Sequence, residues 1–492
     1  VIRILAACAL LAAQEKPHVL RVVDDATGRG VPLVELRTTN GIAHQTDNAG
    51  VVAFDEPGLL GSRVFFFVES HGHEFPADGF GMRGTAVETK PGGETTLRIR
   101  RVNVAERLGR ITGQGLFHHS LRAGLPVPHG KGAENAGVMG QDSAGAVVHG
   151  GRVRWFWGDT SLARYAMGHF GTATATSDPA ADPAKGIELS YAVDARGHSR
   201  PTFDLGVPGA VWVHCPFALR DPEGRERILA EYERVKDVAS PKLEQGIAVF
   251  DDAAERFTPL RKLPLDEERR PFGQAFVDGE HLYFALPYPF LRVRAAWEDV
   301  LDPSRYEAFT CLEAGAHDAG SPRVERDAAG KPVYAWKKGA LPVDAFRQQE
   351  LVRKGALKDG EGWVDTVDAT SGKAVQLHRG SVRWNAHRKR FVMIATRMGG
   401  EESMLGDVYY AEASRPEGPW PKAAKVVGHK RYSFYNPVHH AFLDREGGRV
   451  IHFEGTYTVS FSDAPAPTPR YDYNQILYRL DLDDPRLAPA RR

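Results

Sequence analysis

The chain has 492 residues, 42% hydrophobic and 26% charged, with 63 Lys plus Arg against 63 Asp plus Glu. This fits a soluble globular protein of two or three domains, and the charge balance leaves no global field to recruit nucleic acid, an anionic membrane or a polyanion, although a local basic patch stays open. The 51 Gly, 32 Pro and 10% aromatic residues favour short strands joined by turns over long helices.

Residues 1–17, VIRILAACALLAAQEKP, carry one Arg, an apolar run and a polar break. They read as a signal peptide cleaved near Ala13, so a secreted or periplasmic protein is expected. LAAC at residues 5–8 resembles a bacterial lipobox, which leaves lipoprotein anchoring at Cys8 open. No other stretch approaches the ~18 uncharged apolar residues of a membrane helix, so no membrane span is expected. Beyond Cys8 only Cys215 and Cys311 occur. That excludes a disulfide framework and a cysteine zinc site, and predicts two separate buried thiols.

Residues 18–104 alternate apolar runs with the turn signals ATGRG, TNG and DNAG, which predicts a small β-sandwich. The pattern D-x-x-T-G-x-x-V-P-x-V followed by T-D-x-x-G-x-x-x-F resembles carboxypeptidase-regulatory-like, transthyretin-like domains. The resemblance implies a packing module without chemistry of its own. His71, His73 and Glu74 are weighed as metal ligands and read instead as a solvated polar loop.

Residues 105–486 repeat a longer phrase five times: an apolar run, a turn, an aromatic-rich run and a third strand. Examples are AGAVVHGGRVRWFWGD, GQAFVDGEHLYFALPYP and GSVRWNAHRKRFVMIATR. Repeated antiparallel sheets separated by irregular insertions predict an all-β, five-bladed β-propeller, with a two-sheet sandwich as the alternative. Within the largest insertion, about residues 316–375, VDAFRQQELVRKGALKDGEGW fits a short helix before a Gly stop.

The first repeat poses a chemical question. If Gly150-Gly151 forms a two-residue hairpin turn, the numbers of cross-strand partners sum to 301. Asp142 and Asp159 then stand opposite each other at the open end, a destabilising pair unless a cation, a substrate or a shared proton uses it. The ordinary reading of each aspartate alone is a turn or capping residue. Trp155 and Trp157 beside them read as core, or at the rim as a platform for a sugar ring.

G-Q-D-S followed by W-F-W-G-D-T, with HRGSVRWNAHRKRFVMIAT and GDVYYAEASRPEGPW later, resembles the five-bladed β-propeller glycoside hydrolases. These are the arabinanase and β-xylosidase group, and more particularly a family that includes endo-D-arabinanases. The resemblance implies a central funnel that takes an oligo- or polysaccharide, with Asp142 and Asp159 as first-blade carboxylates. The blade insertions and the front domain depart from the arabinanases, which puts the substrate in doubt more than the architecture.

Glycoside hydrolysis needs a proton donor and a second carboxylate. Asp142 or Asp159 serves the second role, and Glu454 or Glu231, at comparable strand ends, is the candidate acid. Candidate substrate contacts are Gln141, Trp157, Arg379, Arg383, Trp384, Asn385, Tyr435, Asn436, His439 and Tyr473, with His378 and His440 nearby. Arg379 suits a substrate carboxylate or a catalytic Asp. His439 and His440 point to opposite faces of a strand and are not expected to share a metal. No cofactor motif is present, and a structural Ca2+ stays open. Two further readings stand: a non-catalytic carbohydrate-binding propeller, and a polysaccharide lyase using Tyr, His and Arg.

Overall fold

The computed structural model describes residues 15–128, 135–169, 171–236, 241–315, 322–400 and 402–491. The segment read as a signal peptide, Cys8 included, lies outside these residues up to position 14. The chain is all-β and divides into two units, one of Val1–Arg101 with Phe117–Val127, the other of Val102–Leu116 with Pro128–Arg492. Among the described residues no helix is long and apolar enough to cross a membrane.

The first unit holds two four-stranded sheets. His18–Asp24 lies between Val51–Phe54, antiparallel, and Glu94–Arg101, parallel. The other sheet is built on Glu35–Thr38 and Arg63–Glu69. Arg63–Glu69, RVFFFVE, turns Val64, Phe66 and Val68 inward by the two-residue period of a strand. They share one core with Leu20, Val22 and Phe54 of the first sheet. The helix His118–Arg122 returns to this unit, where Ser120 N–H donates to Asp47 Oδ2 at 2.7 Å. One reading is corrected here. His73, taken for a solvated loop residue, is buried with its imidazole 3.8 Å from the buried Asp24 carboxylate. No group of three or more metal-ligating side chains occurs among the described residues.

Among the described residues the second unit holds five larger sheets that follow one another in chain order, and one small one. The antiparallel run of each larger sheet opens on Gly145–His149, Ala210–Arg220, Gln274–Asp278, Leu377–Asn385 or Ser433–His439. Each of these is antiparallel to the strand that follows it. The fifth sheet takes its outer strand, Glu106–Arg110, from the start of the unit, paired with Asn474–Asp481. A small sheet of Val138–Gln141, Thr160–Leu162 and Tyr165–His169 accompanies the first.

Neighbouring sheets pack face to face through aromatic and branched side chains. Phe156 of the first meets Phe250 and Phe257 of the second. Phe217 of the second meets Phe284 of the third, and Phe276 of the third meets Phe391 of the fourth. Leu477 and Leu108 of the fifth share a core with Trp155 and Trp157 of the first. Each buried Phe contributes roughly 1.5–3 kcal/mol. Cys215 and Cys311 are separate, buried and free, as expected. The helix expected in the large insertion runs over Ala345–Arg353, started by Asp344, whose Oδ1 accepts from Arg347 N–H at 2.8 Å.

Candidate functional site

The hairpin arithmetic holds residue by residue. Gly145 pairs with Phe156, Ala146 with Trp155 and His149 with Arg152, each sum being 301. Gly150 and Gly151 turn the chain at φ of 57° and 75°. At the open end the ladder continues irregularly, with Asp142 N–H donating to Asp159 O at 3.3 Å and Gly158 N–H to Asp142 O at 2.9 Å. Gly158 and Asp159 thus stand together opposite Asp142, a β-bulge that re-aims side chains. The Asp142 carboxylate covers Gly158 so closely that a Cβ there would lie 2.2 Å from its Oδ1.

Asp142 and Asp159 line a cavity of about 590 Å³ to which all five sheets contribute. Burial, together with the charge of Asp159, raises the Asp142 pKa to about 6, against hydrogen bonds from Tyr435 and Tyr473 that lower it. Tyr435 hydroxyl donates to Asp142 Oδ2 at 3.0 Å. Burial also raises Asp159, opposed by the indole of Trp212, whose Nε1–H donates to Asp159 Oδ1 at 2.8 Å. The pair therefore favours holding a proton.

The same device recurs around the cavity. Ser143, Cys215, Gly273 and Asn436 all have φ between 47° and 87°. Each follows a cavity-lining side chain, respectively Asp142, His214, Phe272 and Tyr435. Strand register slips at His214/Phe217 and Tyr435/Val438. In the fourth sheet it slips between Leu377 and Gly380, and both His378 and Arg379 reach the cavity. For Ser143 and Cys215, non-glycine residues in the left-handed region, the conformation costs about 1–3 kcal/mol each.

The third acid at the cavity is Glu233. Burial would raise its pKa, but the hydrogen bond and charge of His214, with Lys242 and Arg270, outweigh it and hold the carboxyl below the ordinary glutamate range. His214 Nε2 lies 3.3 Å from Glu233 Oε1. Burial opposes charge on His214, yet Glu233 and Glu231 raise its pKa on balance.

Several expectations are corrected by where the side chains go. Glu231 does not line the cavity, being fully buried with Arg270 Nε–H donating to it at 2.9 Å. Glu454 is likewise buried, with His440 Nε2 2.6 Å from its Oε1. Trp157 is no sugar platform: it is fully buried, stacked with Trp155 at 5.9 Å. Gln141 is buried between Thr160 and Tyr191. His439 turns to Asp444 at 2.9 Å, away from His440, and Asn385 bonds Gly448 O. Arg383 donates to the Val382 carbonyl, and Trp384 is half exposed against Phe391. Neither of these lines the cavity. Tyr473 reaches it only through its hydrogen bond to Asp142. Arg379, Tyr435 and Asn436 do line it, as does His378.

Sequence reasoning missed Trp212, His214, Glu233, Phe272 and Phe461. The signal for His214 was present in His-Cys-Pro, because a proline inside an apparent strand marks a bulge. Tyr-Asn-Pro at Tyr435 repeats it.

No protein-family model matches the chain, and no curated protein does. Solved structures to which it is similar include a GH43 β-1,3-galactosidase, at 9% identity over 76% of this chain and 60% of that one, TM-score 0.34. The chain thus spans about three fifths of the length of that enzyme. Others are an endo-1,5-α-L-arabinanase from Thermotoga petrophila (13% identity, 70% and 72% coverage, TM-score 0.31) and an exo-1,5-α-L-arabinanase from a bovine ruminal metagenomic library (8%, 70% and 94%, TM-score 0.34).

Proposed function

We propose that this chain is an exported glycoside hydrolase, a β-sandwich module followed by a five-bladed propeller whose funnel binds a glycan and cleaves it with Asp142 and Asp159. The observation that carries the reading is the pair itself. Two aspartates meet at a bulge in the wall of a cavity of about 590 Å³, and burial together with the charge of Asp159 raises the pKa of Asp142 to about 6. A fold gains no stability from such a pair, whereas glycosidic cleavage needs a protonated and an ionised carboxyl together.

Asp142, backed by burial and by the charge of Asp159, holds the proton and delivers it to the leaving glycosidic oxygen. Asp159, oriented by the Trp212 indole, is the ionised partner that attacks the anomeric carbon or activates water there. Glu233 with His214 lies on the wall contributed by the second sheet and positions the sugar hydroxyls. Elimination by a tyrosine base is disfavoured, because burial and the nearby Asp142 carboxylate push the Tyr435 hydroxyl far above neutral pH.

The test is digestion of a panel of arabinans, xylans, galactans and uronate-bearing glycans by the parent chain, Asp142→Asn and Asp159→Asn. The expected result is new reducing ends from the parent on at least one glycan and a loss of about 10³-fold or more in each variant. Equal product from all three removes the pair from the chemistry. Binding without cleavage by the parent leaves a carbohydrate-binding module.

A further inference from the structure

The cavity holds a cation that the hydrolytic chemistry does not use. Arg379 lines it from the fourth sheet, beside His378, where the register slip turns both side chains inward. Its guanidinium lies over the Phe272 ring, 5.6 Å from the centroid. Arg379 makes no hydrogen bond or ion pair with any described residue, and the acid that senses its charge, Glu233, is engaged elsewhere. Glu233 is bonded by His214 at 3.3 Å and lies 3.8 Å from Lys242. Arg270, near the same Phe272 ring at 5.0 Å, is satisfied by Glu231 at 2.9 Å. Arg379 is therefore the cation of this cluster left without a carboxylate. Next to it, His378 Nδ1 is buried with no hydrogen-bond partner.

We propose that Arg379 and His378 form an anion subsite for a sugar carboxylate, so that the glycan taken by this cavity carries a uronic acid. The inference rests on the cavity being the glycan site, and it deepens that reading by naming the substrate class. A guanidinium presents a planar fork of N–H donors that matches a carboxylate in two parallel hydrogen bonds, and stacking on Phe272 fixes the plane of the fork. A neutral sugar hydroxyl would leave that charge uncompensated in a partly desolvated site, which costs binding energy. Arg379 lies on a strand of the fourth sheet, whereas Asp159 follows the strand Arg152–Trp157 of the first, so different parts of the cavity wall carry them.

The experiment is calorimetric titration of the full-length parent, Arg379→Met and Arg379→Lys with galacturonate and glucuronate tri- and tetrasaccharides. Neutral galactose and glucose oligosaccharides of the same linkage and length are the reference. A charge-assisted bidentate contact predicts uronates binding about ten- to a hundredfold tighter than their neutral counterparts in the parent. That preference is lost in Arg379→Met and partly kept in Arg379→Lys. Equal affinity of the parent for both series overturns the proposal, and so does a preference that survives in Arg379→Met. The parent comparison needs no variant and stands even if a substitution unfolds the chain. Uronate binding lost in Arg379→Met without any cleavage keeps the subsite and removes the hydrolase reading. Cleavage confined to neutral glycans keeps the hydrolase and removes the subsite.

Discussion

Asp142 shows what a functional side chain does to stability. Its folded pKa, raised to about 6 by burial and by Asp159, lies above the ~3.9 of an unfolded aspartate. The native state therefore holds a proton that the unfolded chain releases. The group costs nothing below about pH 4 and costs more as pH rises through 6. Asp142→Asn is expected to be more stable than the parent at pH 7.5, by about 1–2 kcal/mol after allowance for solvent at the cavity wall. The difference should vanish near pH 4, and urea unfolding at the two pH values measures it. The residues that sequence reasoning missed fail at this scale too. Glu231 and Glu233 share a strand face two residues apart, and only the packing of Arg270 over Glu231 separates them. Nothing local in LAEYERV says which glutamate a distant arginine covers.

At the scale of elements, the hairpin was legible, and two of the bulges carried a signal in the prolines of His-Cys-Pro and Tyr-Asn-Pro. Gly-Gly between two apolar runs fixes turn and register together, so the pairing from Gly145–Phe156 to His149–Arg152 followed from arithmetic, whereas at Asp142 and Asp159 a bulge interrupts it. A bulge shifts alternation by one residue and so moves every later side chain to the other face. Of the candidates grouped on Leu377–Asn385, His378 and Arg379, at the slip itself, line the cavity, whereas Arg383, Trp384 and Asn385, beyond it, do not. Two substitutions separate turn from bulge. Gly151→Val, at a φ of 75°, is expected to destabilise by about 1–2 kcal/mol, whereas Gly150→Asn is tolerated. Gly158→Ala brings its Cβ against Asp142 Oδ1 and displaces the carboxylate. Its expected effect is a loss of cleavage of about 10²-fold with a much smaller change in melting temperature. Unchanged activity in Gly158→Ala would contradict the close approach.

For the whole molecule, each repeat carries its own strand pattern in the sequence, and among the described residues five larger sheets follow in chain order; that they form the five blades of a propeller belongs to the proposed reading. The return of residues 117–127 to the first unit could not be foreseen, because the contacts that hold them, Ser120 to the buried Asp47 and Arg122 to Asp55, join residues far apart in the chain. Asp47 also accepts from Ala49 N–H at 3.0 Å and Val51 N–H at 3.2 Å. Removing it in Asp47→Ala strands these donors and is expected to cost the first unit about 1–3 kcal/mol. Calorimetry should then show a transition moved to lower temperature, with glycan cleavage by the second unit unchanged. Loss of cleavage in this variant would mean that the front unit takes part in the chemistry.

That Asp142 holds a proton beside an ionised Asp159 is read directly by carboxyl-carbon NMR of the selectively labelled chain. The predicted result is an Asp142 midpoint near pH 6 in the parent that falls towards the ordinary aspartate range in Asp159→Asn. Two carboxyls titrating independently near pH 4, with Asp142 unmoved by loss of Asp159, would contradict it.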